Sequence, residues 1–463
     1  MSAKSINKYI NDNAQRFENE LFDWLRIPSI SAIPAHAGDM QKAAEWIVDR
    51  LSQMGLKPEL IKTKRHPLVY AETPAVKGAP VLMVYGHYDV QPVDPLDLWK
   101  SPPFEPTVRK GSVFARGATD DKGQLLTHVF AVEAVLKEMG TLPCQIKFLF
   151  EGEEEDGSES IIEYVKKNRK KLACDCLIVS DGAMFGPGQP AITYGLRGLM
   201  AFELTLTGPK QDLHSGVFGG AVYNPAIALS QMMSKMIDKR GRILVPGFYD
   251  DVVPLTKRER KQFADLPFDE AAFFSKIGLT EGFGEQGFTS IERRWTRPTF
   301  DINGLTSGYQ GEGGKTVLPS KASAKFTFRL VPNQKPNIIA KNTKAYLQSL
   351  CPPGIAMKLN YHHGANGLLV SLDSPFVEAA AKALETAFGC PPFYTREGGS
   401  IPIITLMSDV LEADVLLLGW GLNDDNAHAP NEKFSLADFH KGIKASAGLL
   451  LEMMDYQKMM KKG

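Results

Sequence analysis

The chain has 463 residues, of which 43% are hydrophobic and 23% are charged, and its 53 Lys and Arg balance 53 Asp and Glu. This composition is typical of a globular protein with about two or three domains. The zero net charge gives no electrostatic reason to expect a nucleic-acid or membrane partner. No stretch approaches the roughly 18 apolar residues of a membrane-spanning helix, and the polar N-terminal segment lacks the apolar core of a signal peptide.

The cysteines also bear on location. Cys144, Cys174, Cys176, Cys351 and Cys390 are scattered and odd in number. Such a set is typical of reduced thiols in a cytoplasmic protein. A C-x-C pair is able to bind metal, but the apolar residues that follow it favour the start of a strand. We therefore expect a cytoplasmic protein.

The first part of the chain alternates between helical and strand patterns. The opening segment has the apolar spacing of a helix that ends before Pro28, and a second helix is predicted from Met40 to Met54. Apolar strands in VLMVYGH, QIKFLFEGEEE and DCLIVSDG then alternate with helices near 123–139 and 158–169. This order predicts a mostly parallel sheet flanked by helices.

The middle of the chain has a different texture. MAFELTLTG and KASAKFTFRLV alternate apolar and polar residues like half-exposed antiparallel strands. Between them, residues 241–321 are rich in Gly, Pro and aromatic residues, and the α/β pattern returns toward the C-terminus. We therefore predict an α/β domain formed by residues 1–196 and 373–463, interrupted by an inserted α+β domain at 197–372.

Acidic residues and histidines follow the predicted strands of the α/β domain. Ligands of open α/β sheets bind at the carboxyl ends of the strands. A single acidic cluster is usually a turn, a helix cap or a solvated face, but five such strand ends in one domain indicate a site. They supply His87 and Asp89, Asp120 and Asp121, the four glutamates Glu151, Glu153, Glu154 and Glu155, then Asp181, and finally His428.

Two histidines and several carboxylates, with no cysteine among them, suit Zn²⁺ or Mn²⁺. Two cations roughly 3.5–4 Å apart repel each other unless an anion bridges them. One Asp would then serve both ions, and each ion would take one His and one further carboxylate. A spare glutamate would be needed as the general base. The spacing alone does not assign these roles.

Seven motifs in order between Gly86 and Lys433 resemble those of one enzyme family. They are GHYDVQP, GATDDKG, EGEEEDGSE, SDG, LHSG, REGGSIP and DDNAHAPNEK. The chain resembles the dizinc exopeptidases of the aminoacylase and carboxypeptidase-G family, and most closely the carnosinase and cytosolic non-specific dipeptidase branch. The resemblance covers nearly the whole chain. It implies a catalytic α/β domain, an inserted lid or dimerisation domain, and two divalent metal ions per subunit.

The implied reaction is hydrolysis of the peptide bond of dipeptides. The alternative on the same site is deacylation of N-acetyl or N-succinyl amino acids. LHSG together with the long 241–321 segment favours the dipeptidase branch, because the deacylases are usually smaller. This choice between the two reactions rests on analogy, so the geometry of the site has to support it.

The resemblance also implies the metal ligands. His87, Asp120 and Asp181 would hold one ion, and Asp120, Glu155 and His428 would hold the other. Asp120 would therefore be the bridging carboxylate. The peptide bond after the bridging aspartate is often cis in this family.

The catalytic base follows from the family pattern E-G-x-E-E. Matched to EGEEED, this pattern makes Glu154 the base and Glu155 the ligand. Glu153 stands where the family often has an apolar residue, so the register of the four glutamates stays open. Asp89 would lie behind His87 and fix or polarise its ring.

The inserted domain would contribute substrate contacts. His214 in DLHSG would reach the active site of the other subunit of a homodimer and stabilise the oxyanion; a turn histidine is the alternative. Arg329 would bind the C-terminal carboxylate of the substrate, with a surface strand arginine as the alternative. Gly398 and Ser400 would form a tight loop able to approach a ligand closely, where the alternative is an ordinary glycine turn.

Other classes of protein fit the sequence less well. A catalytically inactive binding protein or a metal-stabilised structural dimer would be favoured by a missing ligand or base, and all of the expected ones are present. A nucleic-acid or phosphate-binding protein would have a basic surplus or a glycine-rich phosphate loop. We therefore expect an enzyme that acts on a dipeptide or another small peptide-like substrate.

Overall fold

The computed structural model describes residues 3–456, and the chain divides into two compact units. The first unit comprises Met1–Tyr194, Val370–Thr395 and Leu406–Gly463, and the second comprises Gly195–Leu369 and Arg396–Thr405. The middle of the chain therefore forms its own unit, and the short segment 396–405 groups with it. No helix among the described residues is both long and apolar enough to span a membrane.

Helices and strands are numbered here in chain order. The helices are α1 Ala3–Asp12, α2 Ala14–Leu25, α3 Ala37–Gln53, α4 Lys122–Met139, α5 Glu159–Lys167, α6 Arg169–Leu172, α7 Ser215–Phe218, α8 Pro225–Ser234, α9 Lys257–Ala264, α10 Glu270–Lys276, α11 Ser290–Thr296, α12 Pro336–Leu350, α13 Pro375–Phe388, α14 Pro402–Leu411 and α15 Leu436–Glu452. The strands are β1 Glu59–Ile61, β2 Leu68–Glu72, β3 Val81–His87, β4 Thr107–Arg109, β5 Ser112–Phe114, β6 Gln145–Glu151, β7 Cys176–Val179, β8 Ala191–Leu196, β9 Gly198–Thr207, β10 Leu213–His214, β11 Thr299–Ser307, β12 Val317–Leu318, β13 Lys321–Leu330, β14 Ala356–Ala365, β15 Leu368–Leu369, β16 Phe393–Glu397, β17 Asp414–Leu418 and β18 Lys433–Ser435.

The first unit is built on a sheet in which β1, β2, β6, β3, β7, β17 and β8 follow one another. The centre is parallel, because β3 pairs with β6 and β7, and β17 pairs with β7, in parallel register. β2 and β8 add antiparallel pairing on either side. The central strands are buried along their length, as parallel strands covered on both faces are. This mixed sheet with its helices confirms the predicted α/β fold class.

The parallel strands bring their carboxyl ends to one edge of the sheet. β3 ends at His87, which lies opposite Glu151 at the end of β6. Asp181 follows β7 by two residues, and α4 begins directly after Asp120 and Asp121. A separate three-stranded sheet of β18, β5 and β4 lies within the same unit. The topology therefore gathers residues that are far apart in sequence.

The second unit is built on an antiparallel sheet with the strand order β11, β13, β9, β14. β9 and β13 bury every second residue, as predicted for strands with one covered face. The covered face packs with α8 and α12 around a core that includes Phe202, Phe326 and Phe328. Arg329 alternates with the phenylalanines and therefore lies on the opposite face of β13. His214 ends β10, which pairs only briefly with β12.

Candidate metal centre

The five predicted ligands form two groups that share one residue. His87, Asp120 and Asp181 form the first group, and Asp120, Glu155 and His428 form the second. Within each group, one possible ligand atom from each residue lies within 4.8 Å of the others. The structure therefore brings together the same two sets of residues that the sequence motifs predict.

The shared residue, Asp120, directs its two carboxylate oxygens toward different histidines. His87 Nε2 lies 3.1 Å from Asp120 Oδ1 and 3.9 Å from Asp181 Oδ2. His428 Nε2 lies 2.9 Å from Asp120 Oδ2 and 3.2 Å from Glu155 Oε2. A carboxylate with one oxygen in each group has the geometry of a bridge between two cations.

The electrostatics of the cluster favour positive charge among its carboxylates. Burial opposes ionisation of Asp120, but its interactions with His428 and His87 outweigh burial and hold its pKa well below the ordinary value. Burial lowers the pKa of His87, and two neighbouring aspartates reverse that effect, so the net shift is upward. Interactions with Asp120 and Glu155 raise the pKa of His428 to about 10. A divalent cation supplies the positive charge that this arrangement favours.

The donor atoms fit a metal ion. His87 Nδ1 donates to the carbonyl oxygen of Asp89 at 3.1 Å, so the neutral ring presents the lone pair of Nε2 on its other side. That buried Nε2 makes no hydrogen bond, although carboxylates of Asp120 and Asp181 lie nearby. A lone pair that faces carboxylate oxygens is stabilised by a cation between them. The nitrogen and oxygen donor set suits Zn²⁺ or Mn²⁺.

Three of the predicted ligands, Asp120, Glu155 and His428, lie in loops or turns beyond the strands. Asp120 lies in the loop before α4, and the peptide bond between Asp120 and Asp121 is cis. Glu155 lies in a single turn of 3₁₀-helix, Glu154–Asp156, directly after β6. His428 lies in the loop after β17 and has a positive φ of 62°, a conformation that is uncommon outside glycine.

Asp89 is a fully buried carboxylate that supports this arrangement. Its Oδ1 accepts from the backbone N–H of Glu154 at 3.2 Å, and its Oδ2 accepts from the backbone N–H of Glu155 at 3.1 Å. Oδ2 also accepts from Ser31 Oγ at 2.7 Å, and Oδ1 lies 3.3 Å from His87 Nδ1. One buried side chain therefore holds both a histidine ring and the turn that carries two glutamates.

The structure separates the roles of the adjacent glutamates. The carboxylate of Glu153 is fully buried and accepts from the backbone N–H groups of His66 and Ser160, both at 3.0 Å. Glu154 interacts electrostatically with His87 and Asp181, and burial raises its pKa well above the ordinary value. Glu153 therefore stabilises the backbone, whereas Glu154 interacts with two residues of the metal groups.

Two residues at the centre have no role in the sequence-based prediction. Asp121 is buried, and its Oδ2 accepts from the backbone N–H of His87 at 3.3 Å. Glu432 is buried beneath the loop that carries Asp120. The only sequence signal for Glu432 is its position at the end of the DDNAHAPNEK motif, four residues after His428.

In the second unit, Arg329 and the loop at 398–400 contact each other. Arg329 Nη1 donates to Ser400 Oγ at 3.0 Å, and Ser400 Oγ donates to the carbonyl oxygen of Arg197. Arg197 Nε in turn donates to the carbonyl oxygen of Gly398 at 3.0 Å. A Cβ at position 398 would lie 3.0 Å from both Arg197 Nη2 and the carbonyl oxygen of Arg294. The close packing of this loop therefore favours glycine.

The environment of His214 is different. It is exposed, and its Nδ1 accepts from the backbone N–H of Gly216 at 3.1 Å, which caps α7. The hydrogen bond fixes Nδ1 as the unprotonated nitrogen, so the neutral ring carries its proton on Nε2. His214 is therefore able to donate a hydrogen bond from an exposed position.

Comparisons with known proteins find a matching family model and similar sequences and structures. A family model described as peptidase family M20/M25/M40 matches residues 83–452. The Cys-Gly metallodipeptidase dug1 of Schizosaccharomyces pombe is 34% identical over 464 residues, which cover 96% of this chain and 97% of the relative. The structure of human carnosine dipeptidase 1 has a TM-score of 0.81 and 29% identity, with 98% and 99% of the two chains covered. The structure of the M20 family metallo-carboxypeptidase Sso-CP2 from Sulfolobus solfataricus has a TM-score of 0.84 and 35% identity, with 95% and 99% covered.

The different partners of Glu153 and Glu154 lead to opposite effects on stability. Glu153→Gln places an amide N–H₂ against a backbone N–H, so we expect the free energy of unfolding to fall by about 1–3 kcal/mol. Glu154→Gln replaces a carboxyl group whose ionisation is disfavoured by burial, so we expect that free energy to stay constant or rise. Urea unfolding of both variants in metal-free buffer at pH 7 measures the difference. Equal losses in the two variants would contradict the separation of roles.

Proposed function

The chain belongs to peptidase family M20/M25/M40, and we propose that it hydrolyses the peptide bond of dipeptides at a site with two divalent metal ions. The family membership confirms the resemblance seen in the motifs, and it makes the chain a hydrolase. The proposal is carried by the carboxylate of Asp120, whose two oxygens face His87 and His428. The names of the fission yeast and human relatives, both dipeptidases, support the substrate class.

The residues would divide between the two ions as the motifs predict. His87, Asp120 and Asp181 would hold one ion, and Asp120, Glu155 and His428 would hold the other. Zn²⁺ and Mn²⁺ both accept this donor set. When bound, the two cations would act as Lewis acids and lower the pKa of water at the site.

Glu154 is the proposed general base. Glu153 is committed to two backbone N–H groups, and Glu155 lies within 3.2 Å of His428. Glu154 is therefore the glutamate of this turn whose carboxylate is available to accept the proton of the attacking water. The same carboxyl group then donates that proton to the leaving amine. Asp89 keeps the turn in place through the backbone N–H of Glu154.

The substrate carboxylate is assigned to the second unit. The planar guanidinium of Arg329 suits two parallel hydrogen bonds to a C-terminal carboxylate. Ser400 lies 3.0 Å from Arg329 Nη1 and would orient that group, and Gly398 keeps the adjoining backbone close. The burial of Arg329, which lowers its pKa, strengthens its interaction with a bound anion.

His214 is assigned to the oxyanion in a homodimer. In this proposal the partner subunit's His214 donates from Nε2 to the developing negative charge of the tetrahedral intermediate. The exposure of the residue in one subunit and the acceptor role of Nδ1 support this assignment. A cytoplasmic location, based on the scattered cysteines, remains part of the same proposal.

Deacylation of N-acyl amino acids is the alternative reaction, and a substrate panel separates the two. We would strip the protein of metal, add back Zn²⁺ or Mn²⁺, and assay Cys-Gly, β-Ala-His, other dipeptides, a tripeptide, and N-acetyl and N-succinyl amino acids. We expect metal-dependent cleavage of dipeptides. Cleavage of the N-acyl substrates alone would overturn the proposed substrate class, and no turnover with both metals bound would overturn the proposed activity.

The base assignment is tested in the same assay. Glu154→Gln should reduce kcat by about 10²–10⁴-fold, while both metal ions stay bound, because Glu154 is not among the ligands. Glu163→Gln, at a partly exposed position of α5 that pairs with Lys64 and Lys167, is the control and should retain activity. Metal content is measured by elemental analysis. A Glu154→Gln variant with nearly full activity would contradict the assignment.

The role of Arg329 is tested with amidated substrates. Arg329→Met should raise KM for dipeptides by about 10–100-fold, since a hydrogen bond to a charged group is worth about 1.5–3 kcal/mol. Amidating the C-terminus should weaken binding to the wild-type enzyme and leave KM of the variant unchanged. Lys325→Met, at an exposed position of the same strand, is the control. Equal effects of amidation on Arg329→Met and wild-type enzyme would reject the proposed contact.

The role of the partner subunit's His214 is tested by mixing subunits. Glu154→Gln and His214→Ala homodimers should each be nearly inactive. After unfolding and refolding together, half of the dimers are mixed and each contains one intact site, so about a quarter of the wild-type activity should return. No recovery, with mixed dimers verified by differential tagging, would show that His214 does not act across subunits.

A further inference from the structure

Glu432 is a buried carboxylate whose four hydrogen bonds all go to the loop before α4. Its Oε2 accepts from Arg116 Nη1 and from the backbone N–H of Gly117, both at 2.8 Å. Its Oε1 accepts from the backbone N–H of Thr119 at 2.9 Å and from that of Asp120 at 3.1 Å. The side chain is fully buried, so these bonds are shielded from competing water.

The pairing of two short strands places Glu432 beneath this loop. β18 pairs antiparallel with β5, with Lys433 opposite Phe114. One residue after Phe114 and one residue before Lys433, the backbone N–H of Ala115 donates to the carbonyl oxygen of Glu432 at 3.1 Å. The loop from Gly117 to Asp120 therefore begins where the strand pairing ends, directly over the Glu432 side chain.

Glu432 forms a buried ion pair with Arg116. Arg116 is also almost fully buried, and its guanidinium donates to the carbonyl oxygen of Pro92 at 3.1 Å as well as to Glu432. A buried carboxylate is stabilised by further hydrogen bonds as well as by its ion pair. Here the two carboxylate oxygens are satisfied by the backbone of a functional loop.

The same two segments have a second connection. Thr119 Oγ1 donates to Asp425 Oδ2 at 3.2 Å, and Asp425 Oδ2 also accepts from the backbone N–H of Leu422 at 2.7 Å. Asp425 and Glu432 flank His428 in sequence. The loop that carries Asp120 and the loop that carries His428 are therefore tied together on both sides.

We propose that Glu432 is a positioning residue that orients the Asp120 carboxylate so that one oxygen faces each metal group. It acts through the backbone N–H groups of the loop and touches neither metal nor substrate. This inference rests on the two-metal site of the proposed function. Loss of the Glu432 carboxylate should release the backbone at Asp120 while leaving every ligand present.

The test compares Glu432→Gln with Glu133→Gln. Glu133 is also buried, accepts from Tyr9 Oη at 2.7 Å, and forms ion pairs with Arg16 and Arg50. It is therefore a matched control for the loss of a buried carboxylate–arginine pair away from the metal ligands. Glu432→Asp keeps the charge but shortens the side chain, so it should lie between wild type and Glu432→Gln.

The readout is metal affinity measured without substrate. The metal-free proteins are titrated with Zn²⁺ against a competing chelator, and the metal-induced shift in Tm is recorded. Glu432→Gln should weaken Zn²⁺ binding by about 10–100-fold and reduce kcat more than it raises KM. Glu133→Gln should lower Tm but keep wild-type metal affinity. If Glu432→Gln does not fold, Glu432→Asp provides the same measurement.

The outcomes separate this inference from the proposed function. Wild-type Zn²⁺ affinity in folded Glu432→Gln, or an equal loss in Glu133→Gln, would overturn the positioning role. A wild-type protein that binds two ions but does not cleave dipeptides would reject the proposed function, while the titration would still decide the role of Glu432. A wild-type protein that binds no pair of ions would reject both.

Discussion

The carboxylate of Asp120 is the group on which the rest of the centre depends. Its two oxygens face imidazoles from opposite ends of the sequence, His87 and His428. Such a carboxylate is costly to bury unless positive charge lies close to both oxygens. The histidines supply part of this charge, and two metal ions would supply the rest. Backbone hydrogen bonds from Thr119 and Asp120 to Glu432 hold the loop that carries this side chain.

The parallel centre of the sheet and the hydrogen bonds that hold its loops produce this arrangement. The parallel strands bring His87 and Asp181 to one edge, and the loop before α4 places Asp120 beside them. Backbone N–H groups at that edge then bind carboxylates, as Asp89 shows for the turn after β6. Because the supports act on the backbone, the ligand side chains keep their free electron pairs for a cation. Preorganisation of this kind is what a metal site requires.

The sequence predicts which residues meet at the candidate metal centre better than it predicts the residues that support them, apart from Asp89. The proposed ligands are histidines and carboxylates that follow apolar strands, and their motifs carry the family resemblance. These features are enough to predict both groups of three residues from the sequence. The contact of Glu432 with Asp120 depends on the pairing of two three-residue strands that are about 300 residues apart, and no local pattern encodes it. The same holds for Glu153, whose backbone partners follow from the path of the chain at His66. In the second unit, the alternation of apolar and polar residues in β13 predicts the face of the sheet on which Arg329 lies. The grouping of residues 396–405 with that unit depends on tertiary contacts and is not visible in the sequence.

The division of labour among the buried carboxylates explains why so many acidic residues meet at one edge. Each has two oxygens, and the partners of those oxygens decide what the group is able to do. Three carboxylates are saturated by backbone N–H groups and neighbouring side chains and therefore act as supports: Asp89, Glu153 and Glu432. Three others face imidazole nitrogens and are the proposed ligands: Asp120, Asp181 and Glu155. Glu154 belongs to neither set: its interactions with His87 and Asp181 are electrostatic, and within residues 3–456 no hydrogen bond to its carboxylate is found. Such a carboxyl group suits the proposed role of general base, because a change in its protonation state would release neither a proposed ligand nor a loop.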